Sequence, residues 1–328
     1  MSVTESKDRT SHHVPLVLEE CGQNGKGRRS RALAERQRHE ARMYKAHKMS
    51  LLRSCVDPGM ILRVGLAVTG LRGWAAKNAM SHWHRKLVFE YESLPAAFDG
   101  FRILHLTDLH INCRPELADH IHDQIKDVPV DLCLLTGDYL FRVGEGEHEA
   151  HEYMEHVISG VKSRGGCIGI LGNHDLASNA TFLESLGVRM LINESVEIRI
   201  GEDSLWIAGV DDPHDYKCDD LPAADHEIPD DAFKILMAHS PEIYEEAADL
   251  GYQLYLCGHT HAGQIQIPGI GPLMSKSRTP RRFTHGTWRH NDMYGYTSSG
   301  IGASGLFARM FCPPEIGLIE LRRKESDR

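Results

Sequence analysis

Five short apolar segments of this chain each end in residues whose side chains bind metal ions or transfer protons. The clearest is residues 170–175, where an apolar run stops at Gly172 and is followed by Asn, His and Asp. The other four end at Asp108 with His110, at Asp138, at His239, and at His259 with His261. Short apolar runs bounded by Gly or polar residues are typical of buried strands in a parallel sheet. Because ligands collect at the carboxyl ends of such strands, the pattern predicts an α/β fold with one site at that edge.

The three residues after Gly172 have complementary chemistry. Asn173 offers a neutral amide oxygen to a cation, and His174 can accept or donate a proton near neutral pH. Asp175 can hold the His174 imidazole in one orientation. A polar turn after a strand is the simpler interpretation of one such tetrapeptide. Five strand ends that all carry Asp, Asn or His indicate a shared site instead.

Helical patterns separate several of these strands. Residues 116–126 and 148–164 place apolar residues at helical spacing between strands, which predicts a largely parallel sheet. Residues 196–200 and 205–210 are predicted as strands of a second, more antiparallel part. Asp211 and Asp212 end the latter strand near the expected site, and turn formation before Pro213 is the favoured interpretation of both.

Taken in order, the five strand ends resemble the motifs of the calcineurin-like metallophosphoesterases. The matching motifs are Asp108-Leu-His110, Gly137-Asp138, Gly172-Asn173-His174-Asp175, His239 and Gly258-His259-Thr-His261. The resemblance extends from near Leu87 to near Leu321. It implies an α/β protein built as a four-layer α/β/β/α sandwich, preceded here by an N-terminal helical extension.

The resemblance also implies a dinuclear metal site. Transferred by position, one metal ion would be held by Asp108, His110 and His261, and the second by Asn173, His239 and His259. Asp138 would bridge the two ions. His174 would face the leaving group as a catalytic residue, and Asp175 would orient it. A hydroxide held by the metal ions would attack phosphorus in line.

The residue types agree with such a site on chemical grounds. Two neighbouring cations repel each other, so an anion such as the Asp138 carboxylate is needed between them. Mixed carboxylate, imidazole and amide ligands suit Mn, Fe, Zn or Ni and leave positions open for phosphate oxygens. None of the eight cysteines belongs to the set, which argues against a structural zinc site. We therefore expect two divalent metal ions as cofactors.

The expected reaction is hydrolysis of a phosphate ester. Protein Ser/Thr phosphatases of this superfamily carry Asp-Arg-Gly shortly after the second motif and Glu after Asn-His. This chain has Tyr-Leu-Phe-Arg-Val-Gly from Tyr139, and Asp175, at those places. Residues 299–315 resemble a bacterial branch that includes membrane-associated phosphodiesterases and some UDP-2,3-diacylglucosamine hydrolases. We expect a phosphodiester or pyrophosphate substrate, lipid-linked in view of the basic N-terminal segment. A nucleotide phosphodiesterase and a non-catalytic interaction scaffold with the same fold are the alternatives.

Arginines after the last motif are candidate substrate contacts. Arg281, Arg282 or Arg309 could clamp a substrate phosphate, because a guanidinium group matches phosphate geometry. A solvated basic loop is the default interpretation of these residues.

The residues before 87 are expected to lie outside the catalytic domain. Residues 1–100 carry 17 Lys and Arg against 10 Asp and Glu, whereas the rest of the chain carries 20 against 36. We predict disorder for residues 1–28, a basic helical extension over 29–86, the metallophosphoesterase domain over 87–322 and a tail over 323–328.

The extension is also a candidate membrane contact. The apolar residues at helical spacing in it are Met60, Ile61, Val64, Val68 and Leu71. Basic residues interrupt them, a pattern typical of a helix that binds an anionic membrane surface. Packing on the catalytic domain or on a second subunit is the alternative. In the membrane interpretation the extension is dispensable for the chemistry.

Cysteine spacing and the N-terminal residues bear on location. The eight cysteines form no CxxC pair, and those within apolar strands behave as small hydrophobic residues when reduced. The first 20 residues are polar and lack the apolar core of a secretory signal. We expect a cytoplasmic protein, peripheral on the inner face of the membrane, with a phosphate-ester substrate and no nucleic-acid partner.

Overall fold

The structure, a computed structural model, describes residues 16–19, 24–51, 58–143, 145–273 and 277–324. The strands in these ranges are β1 (Leu16–Glu19), β2 (Trp83–Tyr91), β3 (Phe101–Leu106), β4 (Pro129–Val130), β5 (Leu132–Leu135), β6 (Lys162–Ser163), β7 (Cys167–Gly169), β8 (Val188–Met190), β9 (Glu194–Ile200), β10 (Asp203–Gly209), β11 (Lys234–Met237), β12 (Leu254–Cys257), β13 (Gln266–Ile267), β14 (Gly271–Pro272), β15 (Gly286–His290), β16 (Met293–Thr297) and β17 (Glu315–Arg323). The α-helices are α1 (Asn24–Leu51), α2 (Pro58–Val68), α3 (Arg72–Asn78), α4 (Glu116–Ile125), α5 (Glu147–Ser159), α6 (Ala177–Ser185), α7 (Leu221–Asp225) and α8 (Tyr244–Asp249).

Two mixed sheets form the centre of the molecule. The six-stranded sheet has the order β2-β17-β3-β5-β7-β8, and the seven-stranded sheet has the order β1-β9-β10-β11-β12-β16-β15. Strands β3, β5, β7 and β8 are parallel, as are β10, β11, β12 and β16. Strand β2 lies at one edge of its sheet, and β9 pairs with β10 in antiparallel fashion, as the sequence predicts.

Three apolar clusters hold the layers together. The inner cluster lies between the two sheets and includes Ile103 and Ile168 from one sheet and Ile207 and Leu256 from the other. A second cluster joins the six-stranded sheet to α4, α5 and α6. A third joins the seven-stranded sheet to α7 and α8. This order of layers confirms the four-layer α/β/β/α sandwich that the sequence predicts.

Parallel strands of the two sheets bring the predicted site residues to one end of the sandwich. The strands β3, β5, β7, β11 and β12 end two to four residues before Asp108, Asp138, Asn173, His239 and His259, respectively. Each strand core is buried, so its side chains pack in the protein interior. The first residues free to take up other chemistry are those in the loops that follow.

The described N-terminal residues differ from the expected disorder over 1–28. Strand β1 pairs antiparallel with β9, and Leu16 and Leu18 pack against the inner cluster. Helix α1 already begins at Asn24, and its residues Ala32 and Leu33 pack against the cluster around α4 to α6. Both elements are therefore joined to the catalytic domain. None of the described helices combines the length and apolar character that a membrane crossing requires.

Candidate metal centre

The first group of potential ligands consists of Asp108, His110 and His261. The Nε2 atoms of His110 and His261 lie 3.1 Å apart, and His261 Nε2 lies 3.3 Å from an Asp108 carboxylate oxygen. All three side chains are buried. One carboxylate and two imidazoles around one point form a donor set that a divalent transition metal ion favours.

The second group is built from Asn173, His239 and His259. The Asn173 Oδ1 atom lies 3.0 Å from both His239 Nε2 and His259 Nδ1. Asp138 adds a carboxylate oxygen 3.3 Å from His239 Nε2. The three predicted ligands and the predicted bridging acid therefore converge in space.

Asp138 connects the two groups. Its Oδ2 atom lies 3.5 Å from His110 Nε2 on one side and 3.3 Å from His239 Nε2 on the other. Its Oδ1 atom accepts the backbone N–H of His174 at 2.8 Å, which fixes the orientation of the carboxylate. A carboxylate in this position can contact two cations at once.

The backbone at these strand ends is in an uncommon conformation. Five candidate ligands have left-handed φ values, namely Asp108 (51°), His110 (40°), Asp138 (58°), His259 (69°) and His261 (48°). Such values are uncommon for residues with a side chain and concentrate at functional sites. The surrounding loops must therefore hold these residues in place.

Gly172 permits a close approach between two of these loops. A Cβ atom at this position would lie 2.9 Å from His239 Cε1 and closer still to the Asp138 carboxylate. A larger residue would push the Asn173 loop away from Asp138. The glycine is therefore required by the spacing of the ligands.

Hydrogen bonds orient two of the imidazoles toward the centre of the cluster. His110 Nδ1 donates to the Leu140 carbonyl at 2.6 Å, and His239 Nδ1 donates to the Thr136 carbonyl at 2.8 Å. In the neutral rings, each Nε2 lone pair then faces the Asp138 carboxylate. Lone pairs and carboxylate oxygens facing one another need positive charge between them.

The pKa of His239 also indicates that positive charge is stabilised at this position. Burial lowers the pKa of His239, but the carboxylates of Asp138, Asp108 and Asp212 together outweigh burial and raise the pKa to about 10. A proton thus supplies the charge that a metal ion would supply. The donor set, the tautomers and this charge balance together fit two divalent cations.

His174 lies at the edge of the cluster. Its ring centroid is 4.8 Å from that of His110, and its Nδ1 donates to the Phe141 carbonyl at 2.9 Å. The ring is half-buried. The Nε2 atom is therefore the one left to exchange a proton with a ligand in the site.

The expectation that Asp175 orients the His174 ring is wrong. Its buried carboxylate accepts backbone N–H groups from Asp138 at 2.7 Å, Tyr139 at 2.8 Å and Gly172 at 2.8 Å. The partner that orients the His174 ring is the Phe141 carbonyl. Asp175 instead ties the Asp138 loop to the Asn173 loop, because four backbone N–H groups at these loops point at it.

Comparison with known proteins decides the family. The model of the calcineurin-like phosphoesterase family matches residues 101–263, the stretch that carries all five strand ends. This chain belongs to the calcineurin-like phosphoesterases. It is accordingly a hydrolase that acts on phosphoester bonds, and its family uses divalent metal ions.

Curated relatives of this calcineurin-like phosphoesterase come from several bacteria. The uncharacterized metallophosphoesterase YkoQ of Bacillus subtilis is 29% identical over 69% of this chain and 84% of its own length. The phosphodiesterase YaeI of Escherichia coli is 29% identical over 73% of this chain and 86% of its own length. Among solved structures, Haemophilus influenzae NAD nucleotidase aligns with a TM-score of 0.40 at 12% identity, over 62% of this chain and 46% of that one. That last alignment is too partial to bear on the substrate.

The structure of this phosphoesterase adds two site residues that lie outside the five sequence motifs. Asp215 accepts the Asn173 Nδ2 group at 2.8 Å, which turns Asn173 Oδ1 toward the second group. His214 packs its ring 4.1 Å from that of His259 and hydrogen bonds to Glu242 at 2.7 Å. The available signal was the Asp-Asp-Pro-His-Asp run directly after β10, a strand parallel to β11.

Asp211 and Asp212 have different roles. The Asp212 carboxylate accepts backbone N–H groups from His214, Asp215 and Tyr216, so the expected turn formation is confirmed for this residue. Asp211 is fully buried and pairs with Arg36 of α1. This ion pair could not be anticipated from local sequence.

The arginines proposed as phosphate clamps occupy two environments. Arg309 is fully buried, and its guanidinium donates to the carbonyls of His261, Gly300 and Gly302. It therefore supports the His261 loop and is not placed to bind phosphate. Arg281 and Arg282 are exposed, in agreement with the default interpretation of a solvated loop.

Proposed function

We propose that this chain is a dinuclear metal-dependent phosphodiesterase. The observation that carries the proposal is the Asp138 carboxylate, which lies within 3.5 Å of a His ligand candidate from each group. Three predicted ligands flank it on either side, Asp108, His110 and His261 in the first group and Asn173, His239 and His259 in the second. The mixed carboxylate, imidazole and amide donors suit Mn, Fe, Zn or Ni.

Each residue of the site has a task in this proposal. Bound divalent ions would supply the charge that neutralises phosphate oxygens and activates water. His174 would hold or deliver a proton at Nε2, with its ring fixed by the Phe141 carbonyl. Asp215 would keep the Asn173 amide oxygen on the second group. Asp175 would keep the Asp138 and Asn173 loops together.

A diester or pyrophosphate is the substrate class that we favour. The relative YaeI is named a phosphodiesterase, and the Asp-Arg-Gly signature of protein phosphatases is missing after Asp138. A lipid-linked or nucleotide leaving group is compatible with this choice.

The test combines metal content with substrate choice. We expect purified protein to bind two divalent ions per chain and to hydrolyse bis-p-nitrophenyl phosphate faster than p-nitrophenyl phosphate. Chelation should abolish both activities, and added Mn²⁺ should restore them. A protein that binds two ions but prefers the monoester would contradict the diester assignment. One that binds none and turns over neither substrate would favour the scaffold alternative.

We also infer that an anionic membrane surface is the partner of an exposed apolar platform. The platform comprises Val64, Val68, Leu71, Trp74, Ile267, Ile270, Leu273 and Phe311. Its elements share a small core formed by Leu66, Ala75, Ile265 and Ala308. Arg63, Arg72 and Lys77 are exposed on the same two helices, α2 and α3. Apolar side chains beside basic ones suit the surface of an anionic bilayer. The side chains of Met60 and Ile61 lie outside the described residues.

Acidic substitutions on α2 test this membrane contact. Val64→Asp/Val68→Asp should reduce co-sedimentation with vesicles of phosphatidylglycerol and phosphatidylcholine about tenfold, because two charges replace inserted apolar groups. Val88→Asp is the matched control, since Val88 is 59% exposed on the edge strand β2. Wild-type binding should weaken as salt is raised. Vesicle binding that is equal in both variants, or that is missing in the wild type, would contradict the inference. The cytoplasmic location stays a prediction.

A further inference from the structure

We propose that Arg36 of α1 is a positioning residue for the loop that carries Asn173 and His174. The inference rests on the proposed metal site, because its functional consequence is the placement of one of that site's ligands. It also changes the role of the N-terminal extension, which is dispensable for the chemistry in the membrane interpretation.

The guanidinium group of Arg36 is fully buried beneath the site. Its Nη2 atom donates to the Gly172 carbonyl at 2.6 Å and to the Asp175 carbonyl at 2.7 Å. These two carbonyls flank Asn173 and His174. Arg36 therefore holds both ends of the four-residue loop from a helix more than 130 residues away in sequence.

The same guanidinium also contacts the loop on the other side of Asn173. Its Nη1 atom donates to the Asp211 carboxylate, and its Cζ atom lies 4.2 Å from the centre of the Tyr216 ring. Asp215, between these two contacts in sequence, accepts the Asn173 amide. Arg36 thus contacts both the loop that carries Asn173 and the loop whose Asp215 orients the Asn173 amide.

Further contacts of α1 fix its position on the domain. Glu40, one turn after Arg36, accepts the backbone N–H of Ala177 at the start of α6 at 2.7 Å. One end of the helix is held by Arg29, which donates to the Met190 carbonyl at 2.7 Å and pairs with Glu194 at 2.9 Å. Removal of α1 would therefore withdraw hydrogen-bond donors from carbonyls under the site.

The chemistry of the contact requires an arginine. Two carbonyls and one carboxylate lie in different directions around the planar group, and a guanidinium can donate to all three at once. A lysine keeps the charge but concentrates its donors on one atom. A buried charge of this kind is tolerated only when its partners are in place, so the Arg36–Asp211 pair specifies one relative position of the two loops.

The experiment measures metal binding and loop protection in Arg36→Lys, Arg36→Met and the control Arg38→Met. Arg38 is exposed on the same helix. Equilibrium dialysis with Mn²⁺ should show two ions in the wild type and the control. Both Arg36 variants should bind one ion normally and the second about 10–100-fold more weakly, the usual effect of losing an outer support of a ligand. Amide hydrogen exchange at residues 172–176 should be faster in both.

The double variant Arg36→Met/Asp211→Asn separates positioning from stability. It removes both buried charges, so its thermal stability should exceed that of Arg36→Met. Its second-ion affinity should stay low, because the carbonyls of Gly172 and Asp175 still lack their donor. If Arg36→Met fails to fold, Arg36→Lys and the double variant decide the question.

Two failures can be told apart. If the wild type binds fewer than two ions, the proposed dinuclear site is wrong. The amide hydrogen-exchange rates of residues 172–176 then test the positioning role of Arg36 by themselves. If the wild type binds two ions while Arg36→Lys and the double variant match it in affinity and exchange, the positioning role is overturned.

Discussion

Asp138→Asn should lower turnover of a phosphodiester by about a hundredfold or more while the chain still folds. The substitution removes one negative charge from between two cations, which should weaken at least one metal site by several kcal/mol, roughly the scale of a partly screened charge pair at this distance. The asparagine Oδ1 can still accept the His174 N–H that Asp138 accepts at 2.8 Å. Local backbone structure should therefore persist.

The measurement is kcat with saturating Mn²⁺, together with the thermal unfolding curve. Asp127→Asn serves as the control, since the Asp127 side chain is 80% exposed and its charge lies outside the cluster. A metal-replete Asp138→Asn protein with turnover near that of the wild type would show that Asp138 does not bridge two ions.

His174→Ala should lower kcat about 10²–10⁴-fold, the typical contribution of general acid or base help. Its ring is fixed by the Phe141 carbonyl and lies beside His110 without belonging to either predicted ligand trio. Metal content should therefore stay near that of the wild type. The loss should be smaller for p-nitrophenyl leaving groups than for poorer leaving groups such as phenol, because a good leaving group needs less help from a proton.

The comparison uses matched diesters and His148→Ala, whose parent side chain is 87% exposed on α5. Metal analysis of each variant distinguishes the two roles open to His174. Loss of one equivalent of metal in His174→Ala would make this residue a ligand, in line with its closeness to His110 and Asp138. Equal losses for good and poor leaving groups would argue against a proton donor.

The convergence of the strand ends could be predicted from sequence for a simple physical reason. The carboxyl ends of parallel strands lie at one edge of their sheet, so the residues that follow such strands meet there whatever the details of the loops. This argument groups Asp108, Asp138 and Asn173 on the six-stranded sheet, and His239 and His259 on the seven-stranded sheet. His239 joins the two groups, since it lies two residues after the end of β11 and reaches Asp138 across the gap between the two sheets.

The roles of the residues that support the ligands could not be assigned from local sequence patterns. Asp175 stands next to His174 in sequence and suggested a pair, but the backbone N–H groups of residues 138–140 take its carboxylate. Asp215 and Arg36 act through the conformation of residues 211–216 and the docking of α1. These contacts join residues between 35 and 175 positions apart, and contacts of that kind leave no periodic signature in a single sequence.

The N-terminal segment shows the same limit. Its positive charge suggests a separate extension, yet the buried Arg36 forms an ion pair with Asp211 inside the domain. Strand β1 likewise completes the seven-stranded sheet. Composition records how many charges a segment carries, and only the fold shows what they pair with.

Anomalous diffraction from crystals grown with Mn²⁺ tests the dinuclear site most directly. Two peaks about 3.5–4 Å apart are expected. One should lie among Asp108, His110 and His261 and the other among Asn173, His239 and His259, with Asp138 in contact with both. A single peak, or two peaks without Asp138 between them, would contradict the account.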